Sequence, residues 1–355
     1  VLQGTYDYGE GFYYQPFYYT VFLPLAYLLP GSSAAGVILV QALLGAAAVW
    51  LTGTAFARLF GRRAGLVAAL LLALSRLAIF YTPFTLIATL QSFWMALLLW
   101  CVTAACRRPR WYMWAAAGLV AGLANITRGN IILLVPLLLL GLVWALRRRP
   151  RQAAGCAALV LVLFYAPQLP YALVNYRVTG RWPGPSTAAG AVLALGNTPE
   201  APPGGREPGS SGPMAYPPTY SHWMQQAQSG ERAVHTNMLR WIKREPLAWA
   251  ELKFRMLLLF WNRLEVPNNV SLLEGGRAIP CPGLHLPLLL DFWLLGALGL
   301  AGWLLAWRRW RAHPSRWFAL GAVPVYCLAT VLFYVLARFR LPLLPALCGF
   351  AGFAV

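Results

Sequence analysis

The sequence predicts an all-α, polytopic integral membrane protein, and three observations carry that prediction. Only 11% of the 355 residues are charged, against about 25% in an ordinary soluble domain. Mean hydropathy is +0.57. Apolar runs of about 20 residues recur along the chain, long enough to cross a hydrocarbon core of roughly 30 Å as helices. Such runs, rich in Leu, Ala and Val, satisfy their backbone within the segment, which an isolated strand cannot do.

About nine spans are expected, near 34–56, 64–82, 84–105, 112–127, 129–146, 153–174, 285–307, 317–337 and 341–355. Four short loops between them hold Arg58, Arg62 and Arg63; Arg107, Arg108 and Arg110; Arg147, Arg148, Arg149 and Arg151; and Arg308, Arg309, Arg311 and Arg316, with no acid among them. Nine spans put all four loops on one side, which the positive-inside rule makes cytoplasmic. The opposite side then holds the junctions near 82–84, 127–129 and 338–341. Three regions follow: an N-terminal membrane bundle over 1–174, an extracytoplasmic loop with amphipathic helices over 175–284, and C-terminal membrane helices over 285–355.

The stretch YYQPFYYTVFLPLAYLLPG at 13–31 is apolar, yet it carries seven aromatic residues and three prolines. Its apolar part is too short for a span, and Pro24 interrupts it. Its tyrosines suit the headgroup level. It is expected to form an interfacial or re-entrant helix on the outer face. In the region 175–284, residues 177–220 read as extended loop from their Gly, Pro and Ser content. The amphipathic segments after Ser221 read as helices, with Lys253 and Arg255 at the headgroups.

The net charge of +19 would point to nucleic acid in a soluble protein. Here the arginines sit between spans as topology determinants, so the expected partner is membrane lipid and no nucleic acid is expected. The six cysteines form no CxxC pair, and all but Cys281 fall in or beside apolar segments, where Cys behaves as a small hydrophobe. His222 and His235 are thirteen residues apart, and no His, Cys or carboxylate spacing suits a metal. Gly118 and Gly122 match the small-xxx-small pattern of tight helix packing. The absence of a P-loop, Rossmann fingerprint or nucleophile elbow argues against soluble nucleotide chemistry. The chain opens without Met and stops inside an apolar run, so it is expected to be a fragment at both ends.

Three arginines disobey the charge pattern: Arg128 in ANITRGN, and Arg338 and Arg340 in ARFRLP, all at outer ends of spans. A phosphate held at the headgroup plane would explain them, because guanidinium presents a planar fork of donors; snorkelling to lipid phosphates is the alternative. Arg76, inside a span near its outer end, is expected to snorkel. No intramembrane carboxylate chain of the kind that marks proton-coupled pumps is present. Asp7 and Glu10 precede the interfacial stretch, and Glu265 follows the last amphipathic segment in FWNRLEVPNNV. Each could act as a base, and each is equally a solvated loop acid.

In order along the chain, FYYQPFYYTVFLPLAYLLPG, VQALLGAAAVWLTGTAFARLFGRRAGLVAALLLALS, IFYTPFTLIATLQSF, GLVAGLANITRGNIILLVP and ARFRLPLLPALCGFAG resemble the bacterial membrane glycosyltransferases of the GT-C superfamily. These are relatives of the protein O-mannosyltransferases, the lipid A aminoarabinose transferase and the rhizobial lipopolysaccharide sugar transferases. The resemblance implies transfer of a sugar, with inversion, from a polyprenyl-phosphate donor to an extracytoplasmic lipid, glycan or protein at the bacterial inner membrane. It also implies that Arg128, Arg338 and Arg340 bind the donor phosphate; Tyr14, Gln15, Asn268 and Asn269 are candidate substrate contacts beside them. The main acid/base is expected upstream of Val1, leaving Asp7, Glu10 and Glu265 as weaker candidates. No cofactor is required; a divalent metal would be compatible with the chemistry but no spacing argues for one. Relatives often carry an acid near the outer end of the YTPFTLIATLQSF span, where Ala88 and Gln91 stand here, and Pro in place of Arg76. A transporter or flippase, or a ligase or polymerase using a diphosphate-linked glycan, are the rival readings. The oligomeric state, the sugar and the acceptor stay open.

Overall fold

The computed structural model describes residues 12, 15–28, 34–180, 182, 184–204, 216–228, 233–263, 266, 286–308 and 314–355. The described chain is almost entirely helical. A π-helical turn, Tyr18–Phe22, leads into α1 (Leu23–Tyr27). It is followed by α2 (Ala34–Phe60), α3 (Arg62–Ala73), α4 (Arg76–Tyr81), α5 (Ala88–Arg107) and α6 (Trp111–Thr127). After a 3-10 segment (Gly129–Leu134) come α7 (Val135–Ala145), α8 (Pro150–Tyr165) and α9 (Leu169–Thr179). Four helices then follow: α10 (Ala189–Leu195), α11 (Pro218–Gln228), α12 (Val234–Arg244) and α13 (Pro246–Trp261). The chain closes with α14 (Phe292–Trp307), α15 (Pro314–Val331), a 3-10 segment (Ala337–Leu343) and α16 (Leu344–Ala354). Two compact units result. One comprises residues 1–187, 286–326 and 341–355; the other comprises 188–285 and 327–340.

Among the described residues, three helical runs are long and apolar enough to cross a membrane: α2, α5 and the continuous run Pro150–Thr179. Gly129–Ala145 and α14 are apolar but shorter. The expected span 64–82 is not one helix, because α3 stops at Ala73 and α4 starts at Arg76. The expected span 317–337 ends at Val331 and gives way to the 3-10 segment. Residues 16–27 are helical, which gives a length of about 18 Å, short of a bilayer crossing.

In the first unit, α2 packs against both α3 and α5, and α16 lies against α3 and α14. The Gly118 and Gly122 pair serves the tight packing expected of it. A Cβ on Gly118 would lie 2.7 Å from the Val160 carbonyl oxygen, and one on Gly122 would lie 2.5 Å from that of Phe164. Backbone therefore meets backbone between α6 and α8, which only glycine permits. Cys101, Cys106, Cys156, Cys327 and Cys348 are buried; Cys281 lies outside the described residues.

The break between α3 and α4 explains Arg76, which does not snorkel. Buried Ser75 caps α4 by accepting from the Ala78 amide at 3.5 Å. The backbone freed at the break pairs with the segment before α14: Leu290 N–H donates to the Leu74 carbonyl at 2.8 Å, and Arg76 N–H donates to the Leu290 carbonyl at 3.0 Å. Unsatisfied backbone is costly in an apolar setting, and this short bridge removes the cost. Arg76 Nη1 then donates to Asp291 Oδ1 at 2.7 Å. Asp291 is also the N-cap of α14, where a negative charge suits the helix dipole. A double-mutant cycle on Arg76→Ala and Asp291→Ala, read by unfolding in detergent, should return a coupling of about 0.5–1 kcal/mol.

The aromatic stretch is pinned by one glutamine. Tyr18, fully buried, donates from its hydroxyl to Gln41 Oε1 at 3.3 Å. The Gln41 amide donates onward to the Thr82 and Phe84 carbonyls at 2.7 and 2.8 Å. The 82–84 junction and the aromatic stretch are thus held by one side chain with both its polar atoms engaged.

In the second unit, α12 buries Val234, Asn237, Met238 and Trp241, the i, i+3, i+4, i+7 face of an amphipathic helix. Helix α13 begins at Pro246, where the missing N–H costs nothing. Its Lys253 is not at the headgroups. It is 8% exposed and points into the unit, whereas Arg255 stays exposed and pairs with Glu251 one turn away.

Candidate functional site

The arginines of ARFRLP sit where α15 ends early. At Val331 the chain leaves the helix, and the freed carbonyls find donors within the second unit. Lys253 Nζ donates to the Val331 and Leu332 carbonyls, each at 3.2 Å, and to the Gly196 carbonyl at 2.9 Å. Asn197 donates to the Leu332 carbonyl at 2.8 Å and accepts from Trp249 Nε1 at 2.8 Å. A Cβ on Gly196 would sit 1.6 Å from the Phe333 carbonyl oxygen, so this approach requires glycine. The Gly196-Asn197-Thr198 turn and α13 therefore clamp the irregular run that leads to the arginines.

That run ends in a 3-10 segment with about three residues per turn, so positions two apart point in different directions. The two arginines accordingly do different things. Arg340 is fully buried, and its Nη1 donates to the Asn262 carbonyl at 3.1 Å while Nη2 donates to that of Leu259. Both acceptors lie at the C-terminal end of α13, where orphan carbonyls and the negative dipole end favour a cation. Arg338 is 8% exposed and makes no hydrogen bond or ion pair among the described residues. Its Nε is buried without an acceptor, and its guanidinium lies 5.4 Å from the Phe339 ring. A buried cation without an acceptor is unfavourable by itself and is ready for an anion.

Burial pushes the Lys253 ammonium from 10.5 down to about 7. The unfolded chain therefore binds more protons than the folded one between pH 7 and 10.5, and stability rises with pH across that window. The unfolding midpoint in detergent should climb from pH 7 to 9, and Lys253→Met should flatten the climb.

In the first unit, polar groups collect where α5 begins and α6 ends. Gln91 donates to the Ala124 carbonyl at 3.2 Å, and Trp94 Nε1 donates to Thr127 Oγ1 at 3.2 Å. Asn125 donates to Gln168 Oε1 at 2.9 Å and accepts from the Ile132 amide at 2.9 Å. Phe17 of the aromatic stretch meets Trp94 edge-on, with ring centroids 6.1 Å apart. Arg128, half-buried, is the C-cap residue of α6. Several buried atoms here lack a partner: Gln91 Oε1, Thr89 Oγ1, and both Oδ1 and Nδ2 of Asn130. Such orphans are rare in native proteins, and ordered water or a ligand commonly accounts for them. Gln15, half-buried at the entry to the stretch, is held at φ +46°, a region that costs a non-glycine residue about 1–2 kcal/mol.

Of the residues expected from the sequence, Arg128 and Gln15 fall in the first unit and Arg338 and Arg340 in the second. Asp7, Glu10, Tyr14, Glu265, Asn268 and Asn269 lie outside the described residues. Sequence reasoning missed Lys253, Asn197 and Trp249 as the clamp, and Gln91, Asn125 and Asn130 as the polar cluster. A signal existed for Gln91, a polar group in an otherwise largely apolar stretch; Lys253 and Asn197, in AELKFRM and LGNTPE, stand among other polar residues and carried none.

The described residues define an all-α membrane helix bundle. Residues 14–171 match the family described as dolichyl-phosphate-mannose-protein mannosyltransferase, in line with the resemblance read from the sequence. Among solved structures, the oligosaccharyltransferase of Archaeoglobus fulgidus in its apo form superposes with a TM-score of 0.54 at 14% identity, over 97% of this chain and 43% of that one. The oligosaccharyltransferase AglB from Archaeoglobus fulgidus, in complex with an inhibitory peptide and a dolichol-phosphate, superposes with a TM-score of 0.53 at 15% identity, with the same coverage. The chain thus spans less than half the length of these structures, and at this identity the likeness is one of fold. No curated protein matches the chain.

Proposed function

We propose that this protein transfers a sugar from a polyprenyl-phosphate donor to an acceptor hydroxyl or amide on the extracytoplasmic side of a bacterial inner membrane. The observation that carries the proposal is Arg338, a buried guanidinium whose Nε has no acceptor, on a run clamped by Lys253 and Asn197. The family match over 14–171 and the dolichol-phosphate of the archaeal structural neighbour support a lipid-phosphate donor.

In this reading a carboxylate removes the acceptor proton as the acceptor attacks the anomeric carbon. The bond from that carbon to the phosphate oxygen breaks, the polyprenyl phosphate departs with the electron pair, and the anomeric centre inverts. Arg338 stabilises the charge that grows on the leaving phosphate in a low-dielectric setting. Arg340, engaged with the end of α13, fixes the backbone from which Arg338 projects.

Membranes containing the protein, supplied with labelled polyprenyl-phosphate sugars and an extract of cell-envelope acceptors, should release polyprenyl phosphate in step with sugar transfer. Release of polyprenyl diphosphate from a diphosphate-linked glycan would assign the chain to the ligase reading instead. Movement of intact donor across the bilayer without bond cleavage would assign it to the flippases.

A further inference from the structure

The second unit holds a cavity of about 300 Å³ between α11 and α12, lined by His222, Trp223, Gln226, Asn237, Arg240, Trp241, Arg244 and Glu245. Neither α11 nor α12 carries any of the residues assigned above to sugar transfer. The volume lies at the lower end of the range for small-ligand pockets. Its lining divides by chemistry. Trp223 and Trp241, 8% and 7% exposed, give it rigid aromatic walls. Asn237 donates to Gln226 Oε1 at 2.8 Å, which fixes the orientation of two amides facing the space. Trp241 Nε1 donates to Glu245 Oε2 at 3.3 Å, so the single carboxylate is tied to the wall.

Arg240 and Arg244, one helical turn apart on α12 and so on a common face, line the same cavity. Neither makes a hydrogen bond or ion pair among the described residues. Glu245 offsets one of the two arginines, so these three side chains leave the lining one net positive charge. Aromatic walls with fixed amides suit the apolar faces and hydroxyl edges of a sugar ring. Two uncommitted guanidinium forks suit a phosphate or carboxylate.

We propose that this cavity binds an anionic saccharide, a sugar unit carrying a phosphate or a carboxylate, as a site separate from the one that cleaves the donor. It is a holding point for a charged glycan and performs no chemistry. Arg240 and Arg244 grip the anionic group while Trp223, Gln226 and Asn237 contact the ring. The inference does not require the transferase reading, because binding alone defines it.

The test is titration of the purified full chain in detergent with glucose 6-phosphate, glucuronate, glucose and inorganic phosphate, followed by tryptophan fluorescence and calorimetry. At least one of the two charged sugars should bind saturably and about tenfold more tightly than both glucose and inorganic phosphate. Arg240→Gln with Arg244→Gln should weaken that binding at least tenfold with no change in unfolding midpoint, because both side chains are uncommitted. Arg338→Gln should leave it unchanged, so the failure of this site and the failure of the transfer site are separately visible. Absence of binding, equal binding of phosphate alone, or indifference to the Arg240/Arg244 pair would overturn the proposal. If the pair instead altered only the stability gained in anionic over zwitterionic nanodiscs, the arginines would belong to lipid headgroups and the proposal would fall.

Discussion

Arg338→Gln should lower the proposed sugar transfer about 100-fold or more, the scale seen when one donor to a developing oxyanion is removed. The unliganded protein should stay at least as stable as the wild type. The second half of that expectation separates function from structure. An uncompensated buried cation works against folding, so replacing Arg338 removes a cost. Arg340→Gln should behave in the opposite way. It strips donors from the Leu259 and Asn262 carbonyls and should destabilise by about 1–3 kcal/mol. Arg338→Lys keeps the charge without the fork and should recover part of the activity. Transfer assays and detergent unfolding on the same three variants check both halves. A stability loss in Arg338→Gln as large as that in Arg340→Gln would mark Arg338 as structural.

Gly302→Val should be the most damaging single substitution in the C-terminal helices. A Cβ there would sit 1.9 Å from the Phe350 carbonyl oxygen, and one on Gly299 would sit 2.8 Å from that of Leu347. The obstacle is the α16 backbone, which has no rotamer to change. Helices α14 and α16 must separate along their contact, at a cost of about 3 kcal/mol or more. Gly155→Ala on α8 is the control. Nothing lies within 4 Å of a Cβ there, so the change should be neutral or stabilise by up to about 1 kcal/mol through helix propensity. Unfolding of the two variants in matched detergent measures the contrast.

The class of fold was legible because it rests on composition: few charges and long apolar runs admit little besides a helical membrane bundle. The helix breaks were not legible. LALSRLAIF reads as continuous apolar sequence, and the interruption at Ser75 is stable only because Leu290 and Asp291, more than two hundred residues later, meet it. The same distance hid the partner of Arg76, so its charge looked like an interfacial anchor. For the site, the position of ARFRLP against the charge pattern singled out both arginines. It could not divide their labour, which depends on the 3-10 geometry and on where α13 ends. Lys253 was misread for a related reason. An amphipathic pattern identifies a buried face, but it does not say that a lysine on that face will find three carbonyl acceptors.

The clasp at Ser75 also orders events during synthesis. Arg76 and Asp291 are 215 residues apart, so the opening in the backbone between α3 and α4 has no partner until α14 has emerged from the ribosome. At about 5–20 residues per second, that interval lasts on the order of 10–40 seconds. During it the N-terminal helices must sit in the bilayer with exposed polar backbone. A nascent chain arrested before Leu290 should therefore be a preferred target for membrane proteolysis near Ser75, and one extended through α14 should be protected.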